Sequence, residues 1–278
     1  MTSRRRAATA AVALSCGAAL LAGAASTDAV ATADDPDGEG DLAGKSAQQI
    51  ADTALHELLA AHSLRLRTRT TADPTQLDLT LDRAGNCAGT VSKGALGRVE
   101  IIKRGTQVWL KPDAAFWKSQ LPGSEGTTAA NKYKDTYLHG TTKGDAVLQS
   151  LADACDLKAF QKSATGHDKS SSATPSPSRT PSPSATATLT KGRPTTLEGT
   201  PVLPVVKKKA DGAVQTLYVA INGKHYPLKL TAEIDHETGT ILLSNYDTPV
   251  SAKTPAPGDT VDISSVKELE EGQGEPNA

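Results

Sequence analysis

The stretch 77–110, LDLTLDRAGNCAGTVSKGALGRVEIIKRGTQVWL, decides the fold. Its apolar residues recur at every second position, as in Leu77, Leu79 and Leu81, and polar residues stand between them. This alternation is typical of β-strands that bury one face and expose the other. Glycines such as Gly85 and Gly105 separate the runs. Because these connections are short, the sequence predicts an antiparallel meander.

The segments on either side extend this pattern. Apolar residues recur at helical spacing from Ser46 to about Ala61, and Ser46 with Gln49 forms a candidate capping box, which predicts an amphipathic helix. A second helix is predicted from about Lys143 to Leu157. Further alternating runs predict strands at 217–221, 226–230 and 241–243, and the turn signal Asn222-Gly223 favours a tight hairpin between the first two.

The first 31 residues are typical of a secretory signal peptide. Arg4, Arg5 and Arg6 precede an apolar stretch, and A-x-A cleavage signals end near Ala31 and Ala33. No second apolar run of about 18 residues follows, so we expect an extracytoplasmic protein. In an alternative interpretation Cys16 is lipidated, although the preceding residues fit a lipidation motif imperfectly.

Composition divides the rest of the chain. Residues 32–45 are predicted to be a flexible tether, and 270–278 a disordered tail. Between 164 and 190, above all over 164–187, the sequence is dominated by Ser, Thr, Pro and Ala, and such a segment cannot bury enough apolar area to offset its ordering entropy. We therefore predict a disordered linker that interrupts one domain formed by 46–163 and 191–269.

Two cysteines, Cys87 and Cys155, remain once the signal peptide is removed. An oxidising compartment favours a structural disulfide between them. A redox pair or a metal site is the functional alternative, but the sequence has no C-x-x-C and no histidine near either cysteine.

Several classes of function are disfavoured. The formal net charge of −1 gives no positive field for nucleic acid. The segment before Lys45-Ser46 lacks the first glycine of a phosphate loop, the histidines lack metal-ligand spacing, and no G-x-S-x-G motif supplies a nucleophile. We therefore expect no enzyme activity, no cofactor and no metal.

Short motifs recur throughout the chain: Asp82–Val91, Val99–Ile102, Gln107–Asp113, Phe116-Trp117, Leu217–Ala220, Tyr226–Leu228, Ser244–Asp247 and Val261–Ser264. Together they resemble the actinobacterial LprG/LppX-type lipoproteins (LppX, LprA, LprF and LprG). It implies an α+β fold: a strongly curved antiparallel β half-barrel, similar to LolA and LolB, with α-helices covering its concave side. It also implies a non-enzymatic carrier or sensor that binds the acyl chains of lipids or glycolipids, and we expect it to be a monomer.

Alternation identifies the residues expected to point together toward the helices and line a lipid cavity: Leu64, Leu66, Leu79, Leu81, Val99, Ile101, Val108 and Leu110. Trp109, Phe116 and Trp117 are expected either at the mouth of this cavity or in core packing. The run Lys207–Lys209 either touches anionic headgroups at a membrane surface or forms a solvated turn. The alternative function is an extracytoplasmic protein-interaction module with a filled core and no ligand.

Overall fold

The computed structural model describes residues 42–121, 123–143, 145–165, 188–209, 212–234, 236–251 and 253–266. The predicted signal peptide, Cys16, the central part of the linker and the C-terminal tail lie outside these residues. The described residues form one large, curved, open sheet with helices on one side, so the expected α+β half-barrel is confirmed.

The N-terminal half is the predicted meander. The helix α1 (Ala47–Ala60) begins at Ser46 with the expected capping box, in which the Ser46 hydroxyl accepts from the backbone N–H of Gln49. The strands that follow are β1 (Ser63–Thr70), β2 (Thr75–Asp82), β3 (Cys87–Lys93), β4 (Arg98–Arg104), β5 (Gln107–Pro112) and β6 (Tyr137–Thr141). Each strand pairs antiparallel with the next.

The C-terminal half is a second meander. Its strands are β7 (Thr188–Lys191), β8 (Thr195–Leu197), β9 (Thr200–Lys208), β10 (Val214–Ala220), β11 (Pro227–Ile234), β12 (Glu237–Ser244) and β13 (Thr260–Asp262). The sequence did not predict β6 to β9. The connection between β10 and β11 spans 221–226, so it is longer than the tight hairpin expected at Asn222-Gly223.

Two pairings join the two halves. In the first, strand β12 lies antiparallel beside β1, with Leu66 opposite Leu243. The order across the sheet is β13-β6-β5-β4-β3-β2-β1-β12-β11-β10-β9-β7, and β8 also pairs with β9. Between β12 and β13 the chain passes the start of β1 and the end of β4. The Ser63 hydroxyl donates a hydrogen bond to the Thr248 carbonyl, and the Arg104 guanidinium donates one to the Val250 carbonyl. Strand β13 pairs with β6 in parallel.

Within the described ranges, four further α-helices of at least seven residues cover the inner face together with α1. They are α2 (Ala114–Gln120), α3 (Gly123–Lys132), α4 (Ala146–Asp153) and α5 (Leu157–Ala164). The helix predicted from about Lys143 to Leu157 is confirmed over α4, but it is shorter than expected. The chain turns at residues 154–156, and Asp156 caps a separate helix, α5. Helices α2 and α3 were not predicted, since each is too short to show a clear helical period.

The expected segment boundaries also need correction. Leu42–Gly44 form a short 3-10 helix and Leu42 is buried, so the tether predicted over 32–45 is packed from Leu42 onward. Ala164 is the buried last residue of α5, and β7 begins at Thr188. Both ends of the predicted linker are therefore structured.

Cys87 and Cys155 form a disulfide, as the sequence predicts. Cys87 is the first residue of β3, and Cys155 lies in the turn between α4 and α5. Both are completely buried. The bridge therefore fixes the α4–α5 corner to one end of the sheet, which we call the disulfide end.

Candidate functional site

The inner face of the sheet is closed toward the disulfide end. Leu64, Leu79 and Leu81 are fully buried, and Ile101 and Val108 are 1% exposed. These residues belong to one apolar cluster with Leu66 and Leu110, and helix residues such as Trp117, Leu148 and Leu157 pack against them. The residues predicted from alternation therefore lie together beneath the helices. At this end they form a close-packed core.

The inner face is less covered toward the opposite end. Register connects one row of inner-face residues from β11 to β4: Leu230, Ile241, Thr68, Leu77, Val91 and Val99. In this row Leu77 is 9% exposed, and the other five are only half-buried. We call these six residues the apolar strip. Apolar side chains that lie on the inner face and still contact water provide a driving force for binding an apolar ligand.

The length of the strip suits a long chain. It crosses six neighbouring strands, from β11 to β4. At a spacing of about 4.8 Å between strands, the strip extends over roughly 24 Å. The Phe116 ring and the Leu121 side chain are half-buried and pack against the apolar cluster near the β4 end of the strip.

Polar residues follow the strip one inward-facing position further along the strands. On the β9 side these are Lys207 and Gln215, which are directly opposite each other. From Gln215 the row continues across the sheet through Ala232 on β11, Gly239 on β12 and Thr70 on β1. On the next two strands, Thr75 of β2 lies opposite Lys93 of β3. We call this second row the rim. The rim is polar at Lys207, Gln215, Thr70, Thr75 and Lys93, and Ala232 and Gly239 interrupt its polar residues.

Lys207 and Gln215 are the most buried members of the rim, with 7% and 2% exposure. Burial of the ammonium lowers the pKa of Lys207, and the nearby Lys209 lowers it further. Lys207 occupies the same sheet face as Val205, which packs against α1, so the fold places a cation beside apolar surface.

The three predicted aromatic residues have different positions. Trp117 is buried in the inner cluster, with its ring centroid 5.8 Å from that of Phe116 and 5.4 Å from that of Tyr133. Its indole Nε1 is buried without a hydrogen-bond partner among the described residues. Phe116 is half-buried beside it.

The expectation that Trp109 lies at the mouth of the inner cavity needs correction, because Trp109 does not line the inner face. Val108 and Leu110 point inward, so alternation turns Trp109 to the outer face. There it lies opposite Ile102 and stacks on His139 with a centroid distance of 5.0 Å. The outward position of Trp109 could have been predicted from the sequence, because Trp109 stands between the inward-facing Val108 and Leu110.

A polar cluster ties the two halves together away from the strip. Asp247 accepts from the Tyr226 hydroxyl at 2.6 Å and from the His62 backbone N–H at 2.8 Å, and Lys224 Nζ lies 3.5 Å away. Tyr226 and Tyr246 stack with a centroid distance of 3.9 Å. The bond from Tyr226, followed by that from His62, lowers the pKa of Asp247 from 3.8 to about 2. We call these residues the Asp247 clamp, and their bonds indicate a structural role.

Neither metal nor membrane-spanning features stand out in the described ranges. Within them, His, Cys, Asp and Glu side chains form no group of three or more that could hold a metal ion. The same residues include no helix with the length and hydropathy needed to cross a membrane.

No protein-family model matches the chain, and no curated protein matches its sequence. Among solved structures, lipoprotein LppX from Mycobacterium tuberculosis is similar at 10% identity, over 74% of this chain and 97% of LppX, with a TM-score of 0.43. LprF from Mycobacterium bovis is 13% identical, over 76% of this chain and 97% of its own, with a TM-score of 0.46. A LolA superfamily protein from Nitrosomonas europaea is 10% identical, over 76% of this chain and 96% of its own, with a TM-score of 0.18.

The resemblance to LppX- and LprF-type lipoproteins seen in the sequence is therefore also found among solved structures. Since the identities are low and the TM-scores lie below 0.5, we derive the function from this chain's own residues.

Proposed function

We propose that this protein is a non-enzymatic, extracytoplasmic lipid-binding protein that holds an acyl chain along the apolar strip. The observation that carries the proposal is that Leu230, Ile241, Val91 and Val99 are only half-buried on an inner face whose other end is closed by the helices. Each methylene removed from water on this surface contributes about 0.8 kcal/mol. A long chain therefore binds without many polar contacts.

Two features of the site support a lipid in particular. The strip is a continuous band across several strands, which fits an extended chain better than a compact ligand. The buried indole Nε1 of Trp117 lies in the adjacent cluster and is a hydrogen-bond donor that an ester or carbonyl oxygen of a lipid could satisfy.

The proposed position of the ligand on the inner face differs from the position expected from the sequence. The sequence predicts that Leu81 and Ile101 line a lipid cavity. Their exposure of 0% and 1% instead predicts that a larger ring at either position overpacks the core, which costs about 1–3 kcal/mol. The ligand is proposed to lie over Val91 and Val99, nearer the opposite end.

The test is organic extraction of the purified exported protein followed by mass spectrometry, together with binding of a fluorescent acyl probe. We expect co-purified lipid in the wild type. Val91→Phe is expected to reduce lipid and probe binding with little change in melting temperature, because the new ring fills the space above the strip. Thr90→Phe is the matched control, since it adds the same ring one residue away on the outer face.

Absence of both co-purified lipid and probe binding in the wild type would reject the carrier and favour the alternative, a protein-interaction module with a filled core. Equal losses of binding in the Val91 and Thr90 variants would show that the strip is not the site. Leu81→Phe serves as the reference for overpacking, and we expect a lower melting temperature in that variant.

A further inference from the structure

The indole of Trp117 is a buried hydrogen-bond donor next to the apolar strip. Trp117 is 4% exposed, and its Nε1 has no hydrogen-bond partner among the described residues. Aromatic rings flank the indole: Phe116 on one side and Tyr133 on the other, and the Tyr133 hydroxyl donates to the Ser265 carbonyl. A buried donor that stays unpaired is costly, so proteins pair such groups with protein, water or a ligand.

Helix α2 determines where this donor lies along the strip. The helix begins directly after Asp113, whose backbone N–H donates to the Arg98 carbonyl on β4. Val99, the β4 member of the strip, is the next residue and packs against the same apolar cluster as Trp117. Trp117 therefore lies toward the β4 end of the strip, whereas Leu230 on β11 marks the other end, roughly 24 Å away.

An acyl carbonyl is the acceptor that a chain on the strip brings to this donor. The carbonyl carbon is bonded directly to the first methylene, so a chain that lies on apolar surface carries the oxygen with it. A carboxylate at this position would bury its charge beside aromatic rings, and the carbonyl of an ester or amide buries none. A hydrocarbon without an acceptor leaves the indole N–H unpaired.

We infer that Trp117 Nε1 donates to the carbonyl oxygen of an acyl ester or amide and thereby sets the direction of the chain. The carbonyl lies at the β4 end, and the methyl terminus lies at Leu230. This inference rests on the proposed acyl-chain site and adds a specificity-determining residue and an orientation to it. The group attached to the carbonyl then leaves the inner face beside α2, where Arg98, Lys118 and Ser119 are exposed.

The first test compares competitors of the fluorescent acyl probe: methyl hexadecanoate, N-methylhexadecanamide and octadecane, an alkane of matching length. Trp117→Phe removes the donor and keeps an aromatic ring. We expect it to weaken ester or amide binding about tenfold relative to octadecane, or about 1.4 kcal/mol, because the buried N–H has no other partner. Trp109→Phe makes the same change on the outer face and is the matched control, in which the relative affinities should not change. The larger loss identifies the acyl linkage that Trp117 binds.

Two measurements on the wild type test the inference even if Trp117→Phe does not fold. Isotopically labelled tryptophan gives one indole N–H resonance for each of the two tryptophans, and Trp109→Phe assigns them. The ester should move the Trp117 resonance downfield, and octadecane should move it much less. An ester with a nitroxide near the carbonyl should broaden this resonance more than one with the nitroxide near the methyl end, and the methyl signals of Leu230 should show the reverse.

The outcomes separate this inference from the function on which it rests. Equal changes of relative affinity in the two tryptophan variants, or equal shifts of the Trp117 resonance by ester and alkane, would overturn the carbonyl site and leave the acyl-chain site standing. Stronger broadening of Trp117 by the methyl-end nitroxide would overturn the orientation and the inference with it. Failure of the probe and of all three competitors to bind the wild type would overturn both proposals.

Discussion

Replacing Asp247 with asparagine tests the clamp that joins the two halves of the sheet. Asp247 has a φ of 57°, in the left-handed region that asparagine also tolerates, so the substitution keeps the backbone and changes chiefly the charge. The clamp bonds lower the pKa of Asp247 from 3.8 to about 2. The folded state therefore holds the carboxylate in its charged form more strongly than the unfolded state does.

The size of the effect follows from this pKa. One pKa unit corresponds to about 1.36 kcal/mol, which gives an upper value of roughly 2 kcal/mol. Because the side chain is 35% exposed, solvent screening reduces the effect to about 1 kcal/mol. In a domain of this size that corresponds to about 2–4 °C in melting temperature.

The lowered pKa of Asp247 determines how its contribution to folding stability changes with pH. The stabilisation is fully present above pH 3.8 and is lost as the pH falls through about 2. Asp247→Asn should therefore be less stable than the wild type at neutral pH, and the two curves should converge below about pH 2.

Denaturant unfolding followed by circular dichroism from pH 7 to 2 measures this difference. Asp135→Asn is the matched control, because Asp135 is exposed and has a similar φ of 58°. A stability difference between wild type and Asp247→Asn that stays constant across this range would refute the electrostatic account of the clamp.

Two other perturbations and one measurement on the unchanged protein test the fold. Removing the disulfide by Cys87→Ala with Cys155→Ala should lower the free energy of unfolding by about 4 kcal/mol, since the bridge joins residues 68 positions apart; a loss below about 1 kcal/mol would contradict this. Gly89→Ala should destabilise by about 2–3 kcal/mol because its Cβ would overlap the Asp78 carbonyl oxygen, whereas Gly258→Ala meets no atom within 4 Å and should be nearly neutral in the same assay. Peptide mapping without reduction should recover one peptide pair linked through the two cysteines, and two free thiols would show that the bridge is absent.

Local patterns predicted much of the N-terminal half. Two-residue alternation identified β1, β2, β4 and β5, and the capping box at Ser46 identified the start of α1. Both signals depend on neighbours within a few positions in the sequence. The short helices α2 and α3 gave no such signal, because their buried positions are set by packing against the sheet.

The candidate site was predicted only in part. Alternation correctly grouped Leu79, Leu81 and Ile101 on one face, but it carries no information on which end of that face the helices cover. The strip and the rim depend on the pairing of β1 with β12, through which Thr68 lies opposite Ile241. That register joins distant parts of the chain and cannot be read from local periodicity.

The pairing of β1 with β12 also determines when the protein can finish folding. His62 and Asp247, which meet beside this pairing, are 185 positions apart in the sequence. During synthesis, the first meander therefore emerges long before the strand that completes its β1 edge. Contacts at such sequence separation slow folding, and an unpaired edge can add strands from other chains. We expect docking of the two meanders to be a late, slow step, and the open β1 edge to be the main aggregation hazard before it.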